Sequence, residues 1–150
     1  VGSSLVNTLF SLGALLIVMV ITGANFSWVL LFIPFILLQV FIFSLGLGMF
    51  LSAAAVFFRD IQYLWGVFVS MWLYLTPIFY PANIIPLEYK SLYQNVNPMY
   101  WYLEQFRNVV LYARLPDLDS ILMGAFLAIL VLSIGTWYFN KKQDEFILYI

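Results

Sequence analysis

Four apolar blocks dominate this chain: Leu5 to Ile21, Trp28 to Phe58, Ile61 to Tyr80 and Ile121 to Phe139. Each reaches the roughly 20 residues that a helix rising ~1.5 Å per residue needs to cross a bilayer core of about 30 Å. Membrane barrels would instead show segments of about 10 residues with alternating polarity, and these blocks do not alternate. A chain that is 65% hydrophobic and 9% charged also cannot cover a surface in water. The sequence therefore predicts an all-α membrane protein with four transmembrane helices, at about residues 5–21, 28–51, 61–80 and 120–139. Residues 81–118, between the last two spans, are too aromatic for a solvated connector and predict a re-entrant or interfacial helical region.

The residue types that are missing narrow the chemistry. Cys and His are absent, which removes disulfides, thiol nucleophiles, imidazole bases and the usual zinc ligands. There is no GxxxxGK[ST] loop, so any ATP must be bound by another chain or domain. A net charge of −1 gives no basic footprint for nucleic acid. The opening Val1-Gly2-Ser3-Ser4 has neither an initiator methionine nor a basic n-region, and reads as the start of a fragment, not as a signal peptide.

Thr22-Gly23-Ala24-Asn25 leaves room only for a tight hairpin, which makes the first two spans antiparallel neighbours. As a straight helix, Trp28 to Phe58 would reach about 46 Å, more than one perpendicular crossing needs. A break is expected in Ser52–Asp60, with Ala53-Ala54-Ala55 along the interface, and Pro34 can kink the first turns. Ser44, Gly48 and Ser52 recur every four residues, as Gly124 and Ala128 do on the last span. Such ridges serve a subunit or gate interface, or ordinary packing within one bundle. Gln39 is the strongly polar side chain in mid-span and is expected to hydrogen-bond inside the bundle, with substrate contact as the alternative.

Arg59-Asp60 cannot lie at the bilayer centre, where each charge costs roughly 2.5–3.5 kcal/mol. The pair marks a membrane face, either as a solvated turn with a capping aspartate or as the mouth of a path. Arg59, Lys141 and Lys142 on one side balance Lys90, Arg107 and Arg114 on the other, so the positive-inside rule is tied. Lys141-Lys142 abut a span directly, which favours their side as cytoplasmic. In the third span Tyr63, Ser70 and Tyr74 share one helical face, with Trp65, Phe68, Trp72 and Phe79 opposite. Polar side chains turn toward the bundle or a wet cavity. The Tyr/Ser face is therefore predicted to line a path and the Trp/Phe face to meet membrane lipids. A path lined by Trp65 and Trp72, whose rings can stack on sugars, is the alternative. Pro77 should bend or stop this helix near Thr76.

Asn97-Pro98 is a helix-start signal, with Asn as cap and Pro at the first helical position, and Arg114-Leu115-Pro116 ends the run. Tyr100, Glu104, Arg107, Leu111 and Arg114 fall on one face of that helix, with Met99, Tyr102, Phe106, Val109 and Ala113 opposite. It is too short and too charged to span, so it lies in the interface or dips in and returns. Glu104 and Arg107, one helical turn apart, can pair and lower the cost of dipping.

The order GLGMFLSAAAVFFRDI, TPIFYP and NPMYWYLEQFRNVVL, followed by a last span with a basic exit, resembles the membrane subunit of the ABC-2 family of ATP-binding-cassette exporters. The likeness runs from about Gly46 to Lys142 and is nearest to the branch that exports O-antigen, capsule or teichoic acid chains. It implies the last four helices of a six-helix permease in the bacterial inner membrane, with the region after TPIFYP forming re-entrant helices on the extracytoplasmic side. It further implies a homodimer around a central path, driven by a separate ABC ATPase subunit that holds ATP and magnesium. The substrate would be a lipid-linked glycan, moved without catalysis or metal in this chain. On this reading Arg59 and Asp60 stand at the cytoplasmic mouth, Tyr63, Ser70 and Tyr74 along the transport path, and Asn97, Pro98, Glu104 and Arg107 in the outer gate. The nearest rival is an ABC-2 exporter of drugs or lipids. A second is a membrane-embedded transferase acting on lipid-linked sugars, which would need Asp60, Glu88, Glu104 or Asp117 converging on one site.

Overall fold

The computed structural model describes residues 2–21, 28–58, 60–76 and 97–143. Every regular element among them is helical, as expected: α1 (Gly2–Ile21), a 3₁₀ turn (Trp28–Phe32), α2 (Ile33–Phe57), α3 (Ile61–Leu75), α4 (Pro98–Val110) and α5 (Leu118–Lys142). Two helical stretches, Trp28–Phe57 and Leu118–Lys142, are long and apolar enough to cross a membrane. The Thr22–Asn25 hairpin and the segment from Pro77 through Pro81 to Val96, with Phe79, Glu88 and Lys90, lie outside the described residues.

The architecture rests on α2 and α5, which pack over most of their length. Their contacts rise together in sequence. Gln39 lies near Gly124, and Gly46 meets Leu132 and Gly135. Farther along, the Phe50 and Tyr138 ring centroids are 5.0 Å apart, and Lys142 Nζ sits 5.1 Å over the Phe57 ring. The two helices are therefore parallel, and the chain between them must return to the end from which α2 started. α3 and α4 share that return: the far end of α3 meets the start of α4, whose first turns pack beside Phe43 and Leu47 and whose last turn reaches Ile33 and Ile36.

Close approach explains the choice of residues along the seam. A Cβ on Gly46 would lie 2.6 Å from the backbone Cα of Leu132, so only glycine lets the two backbones touch. On α5 the seam is built from Ser120, Gly124, Ala128 and Gly135, all buried. In lipid, where apolar surface gains little by meeting apolar surface, such small-residue ridges let dispersion forces hold helices together. Gly124 and Ala128 thus serve packing within the bundle. On α2 the intimate contact falls at Gly46 and not on the Ser44, Gly48, Ser52 ridge.

Two expected breaks fall close to where the sequence puts them. Pro34 occupies the first turn of α2, where its missing N–H costs nothing, and a 3₁₀ turn leads directly into it. Ala53-Ala54-Ala55 do not run along an interface: α2 continues through them to Phe57, and Ala53 and Ala54 are buried. The helix ends with Phe58 extended. At the other end of α3, Thr76 leaves the helix with ψ 129°, the extended conformation that a following proline imposes.

Candidate functional site

α4 is the segment on which the other helices converge. Asn97 caps it as predicted: its side chain accepts from Met99 N at 3.1 Å, and Pro98 sits in the first turn. The helix is shorter than the sequence suggests. It closes after Val110, with Arg114 N donating to Asn108 O at 2.9 Å around Ala113 at φ 49°. The six-to-one bond runs from Tyr112 N to Arg107 O at 3.2 Å, and the left-handed position in this ending holds an alanine where glycine is usual.

The inward face of α4 is only partly the one read from charge. Tyr102 and Val109 are buried as expected, and between them Gln105 is 0% exposed. Gln105 Nε2 donates to Ser120 O at 2.7 Å and to Gln39 Oε1 at 3.3 Å. Tyr102 donates its hydroxyl proton to Gly124 O at 2.9 Å and packs edge-on against Phe43. α4 is thus fastened to both long helices on successive turns, and one turn farther on Val109 joins a cluster with Ile33 and Ile36. Gly124 leaves room for this junction, since a Cβ there would come within 2.6 Å of Gln105 Nε2. Gln39 hydrogen-bonds within the bundle, as its mid-span position suggests. Gln39 Nε2 and Gln105 Oε1 have no partner among the described residues.

A cleft of about 600 Å³ opens between α2, α3 and α4, walled by Ile36, Val40, Phe43 and Leu47 on one side and by Trp65, Phe68 and Trp72 on the other, with Met99 and Phe106 at its end. The Trp/Phe face of α3 therefore looks across this cleft at α2 and α4, not outward at lipid as its hydropathy suggests. The reason lies in the indole. Trp72 Nε1 is a donor with no acceptor on its own helix and finds Asn97 Oδ1 at 3.0 Å, while Phe68 packs against both Trp65 and Trp72.

Tyr63 and Tyr74 are 80% and 74% exposed, on the opposite face of α3. Ser70 lies there too, its hydroxyl donating to Gly66 O at 2.9 Å. Asp60 is exposed before the first turn of α3, where its backbone oxygen accepts from Tyr63 N and Leu64 N, but its side chain makes no capping bond. Arg59 lies outside the described residues. Glu104 and Arg107 share a small outward pocket with Tyr100, Asn108 and Tyr112. Asp60 thus stands at the end of the bundle where α2 and α5 finish, Asn97 and Pro98 stand at mid-height, next to Met99 in the Phe43 and Leu47 cluster, and Glu104 and Arg107 lie farther along α4 toward the end where α2 begins. Among the described residues no group of three carboxylates converges, and Asp60 lies at the opposite end from Glu104 and Asp117. Thr76 and Gln105 carry no site role in the sequence reading, and Trp72 enters it only, with Trp65, as the alternative lining of a path. A single amide on the apolar side of an amphipathic helix was the signal available for Gln105.

The family model described as ABC-2 type transporter matches residues 1–111. Among curated proteins, the chain is 28% identical over 147 residues to the O-antigen export system permease protein RfbA of Myxococcus xanthus, covering 97% of this chain and 56% of that protein. It is 27% identical over 122 residues to the protein of the same name from Klebsiella pneumoniae, covering 81% of this chain and 46% of that one. The chain thus spans about half the length of these relatives. No solved structure matches it.

Proposed function

This chain belongs to the ABC-2 type transporter family, and from that premise we propose that it forms part of the permease of an ATP-binding-cassette exporter moving lipid-linked polysaccharide outward across the bacterial inner membrane. The observation that carries this reading is the similarity over 97% of the chain to a permease named for O-antigen export. The family is a transporter membrane component, so the work of ATP and magnesium falls to a separate ABC ATPase subunit. A second copy of the permease completes the path.

The geometry supports a division of labour between the two ends of the bundle. Lys141, Lys142 and Asp60 lie where α2 and α5 finish, which suits the cytoplasmic face and its mouth. α4 docks at the other end and suits an outer gate, with α1 and α3 completing four crossings. The exposed Tyr63, Ser70 and Tyr74 face then borders the path between two permeases.

The test is biochemical. Purified full-length permease should hydrolyse no ATP alone, co-purify with an ATPase subunit, and stimulate that subunit when lipid-linked glycan is added. Hydrolysis by the permease itself would remove the two-subunit reading. Stimulation by drugs or free lipids and not by glycan would favour the rival substrate class.

A further inference from the structure

Asn97 does more than cap a helix. Its Oδ1 accepts from Met99 N at 3.1 Å and from Trp72 Nε1 at 3.0 Å, and its Nδ2 donates to Thr76 Oγ1 at 3.1 Å. Thr76 in turn donates its hydroxyl proton to Trp72 O at 2.9 Å. The orientation of the amide is fixed by chemistry: the indole and the backbone N–H can only donate, so the oxygen must face them. One buried side chain therefore joins the last turn of α3 to the first turn of α4.

Among the described residues the rest of the α3 interface is loose. α3 meets α2 at few points, and the apolar cleft separates the two helices along the Trp65, Phe68, Trp72 face. α4, by contrast, is held to α2 and α5 by Gln105 and Tyr102. We propose that Asn97 is a coupling pin, which ties α3 to α4 and through it to α2 and α5, and so sets the width of the cleft. In a low-dielectric site, releasing the pin strands an indole N–H and the Asn97 amide together, while Thr76 keeps its bond to Trp72 O, so the pinned and released states are discrete. This inference concerns motion within one chain and does not depend on which substrate is exported.

The experiment measures distance, not export. The 150 residues contain no cysteine, so spin labels can be set at Met71 on α3 and Leu122 on α5, 59% and 65% exposed. Full-length permease, freed of any cysteines elsewhere, is placed in lipid bilayers and diluted with unlabelled protein, so that only distances within a chain are read. Asn97→Ser keeps a capping oxygen but cannot reach Trp72 or Thr76, and Trp72→Phe removes the indole donor while keeping an aromatic ring against Phe68. The pin predicts that each variant broadens the distribution and shifts it to longer distance, and that the double variant adds nothing further. Unchanged distributions, additive effects, or broadening in Asn97→Ser without broadening in Trp72→Phe would each overturn it. If Asn97→Ser fails to insert, Trp72→Phe alone decides.

Discussion

Gln105 shows how much one side chain can hold in a nearly anhydrous bundle. It is fully buried, reaches both α2 and α5, and sits where Gly124 leaves space. Replacing it with leucine should leave Gln39 without its amide partner at a cost of about 1–3 kcal/mol, while Gln39→Leu with Gln105→Leu should recover most of that loss by removing both polar groups. Thermal unfolding of the full-length protein in detergent checks the series, and equal losses in the single and double variants would contradict it. Glycines divide in the same way. Gly46→Ala must push apart two backbones in contact, whereas a Cβ on Gly66 meets nothing. The first should therefore unfold at markedly lower temperature, and the second should gain up to about 1 kcal/mol in helix propensity. Ala113, at φ 49°, should accept glycine with a gain of up to about 1 kcal/mol.

At the scale of elements, what was legible in the sequence was local. The cap at Asn97-Pro98, the break before Pro77 and the polar turn at Asp60 depend on a few neighbouring residues, and they fall where the chain puts them. The faces of α3 and α4 depend on what each helix meets. Sorting α4 by charge could not reveal that an uncharged amide is buried deeper than the phenylalanine beside it. Sorting α3 by hydropathy sent Trp72 to lipid, because the acceptor for its indole lies 25 residues away. The small-residue ridge on α2 was shifted for the same reason: repeats of four appear on several faces, and only the partner helix selects Gly46. The proposed gate gives this scale its functional prediction. Arg107→Glu sets two like charges one turn apart on α4, which should abolish export at normal membrane abundance, and Glu104→Arg in the same chain should partly restore it. Surface glycan measured with membrane levels checks the pair, and a full surface coat in the single variant would mean that α4 tolerates the repulsion.

For the whole molecule, the parallel packing of α2 and α5 is the main constraint, because it forces the intervening chain back to its starting end. The four apolar blocks carried the helix content and membrane class in the sequence. The parallel pairing was not readable there, because it depends on which spans become neighbours. It makes a topological prediction: cysteines introduced at Asp60 and Tyr112 should label with an impermeant reagent from opposite sides of the membrane, and labelling of both from one side would contradict the arrangement. The central claim is that the full-length protein moves a finished glycan and does not make it. Its most direct measurement follows lipid-linked glycan in cells depleted of this protein, with the pools on the inner and outer faces of the cytoplasmic membrane quantified separately. The account predicts loss of the outer pool with accumulation of full-length chains on the inner face, whereas loss of both pools, or an unchanged outer pool, would contradict it.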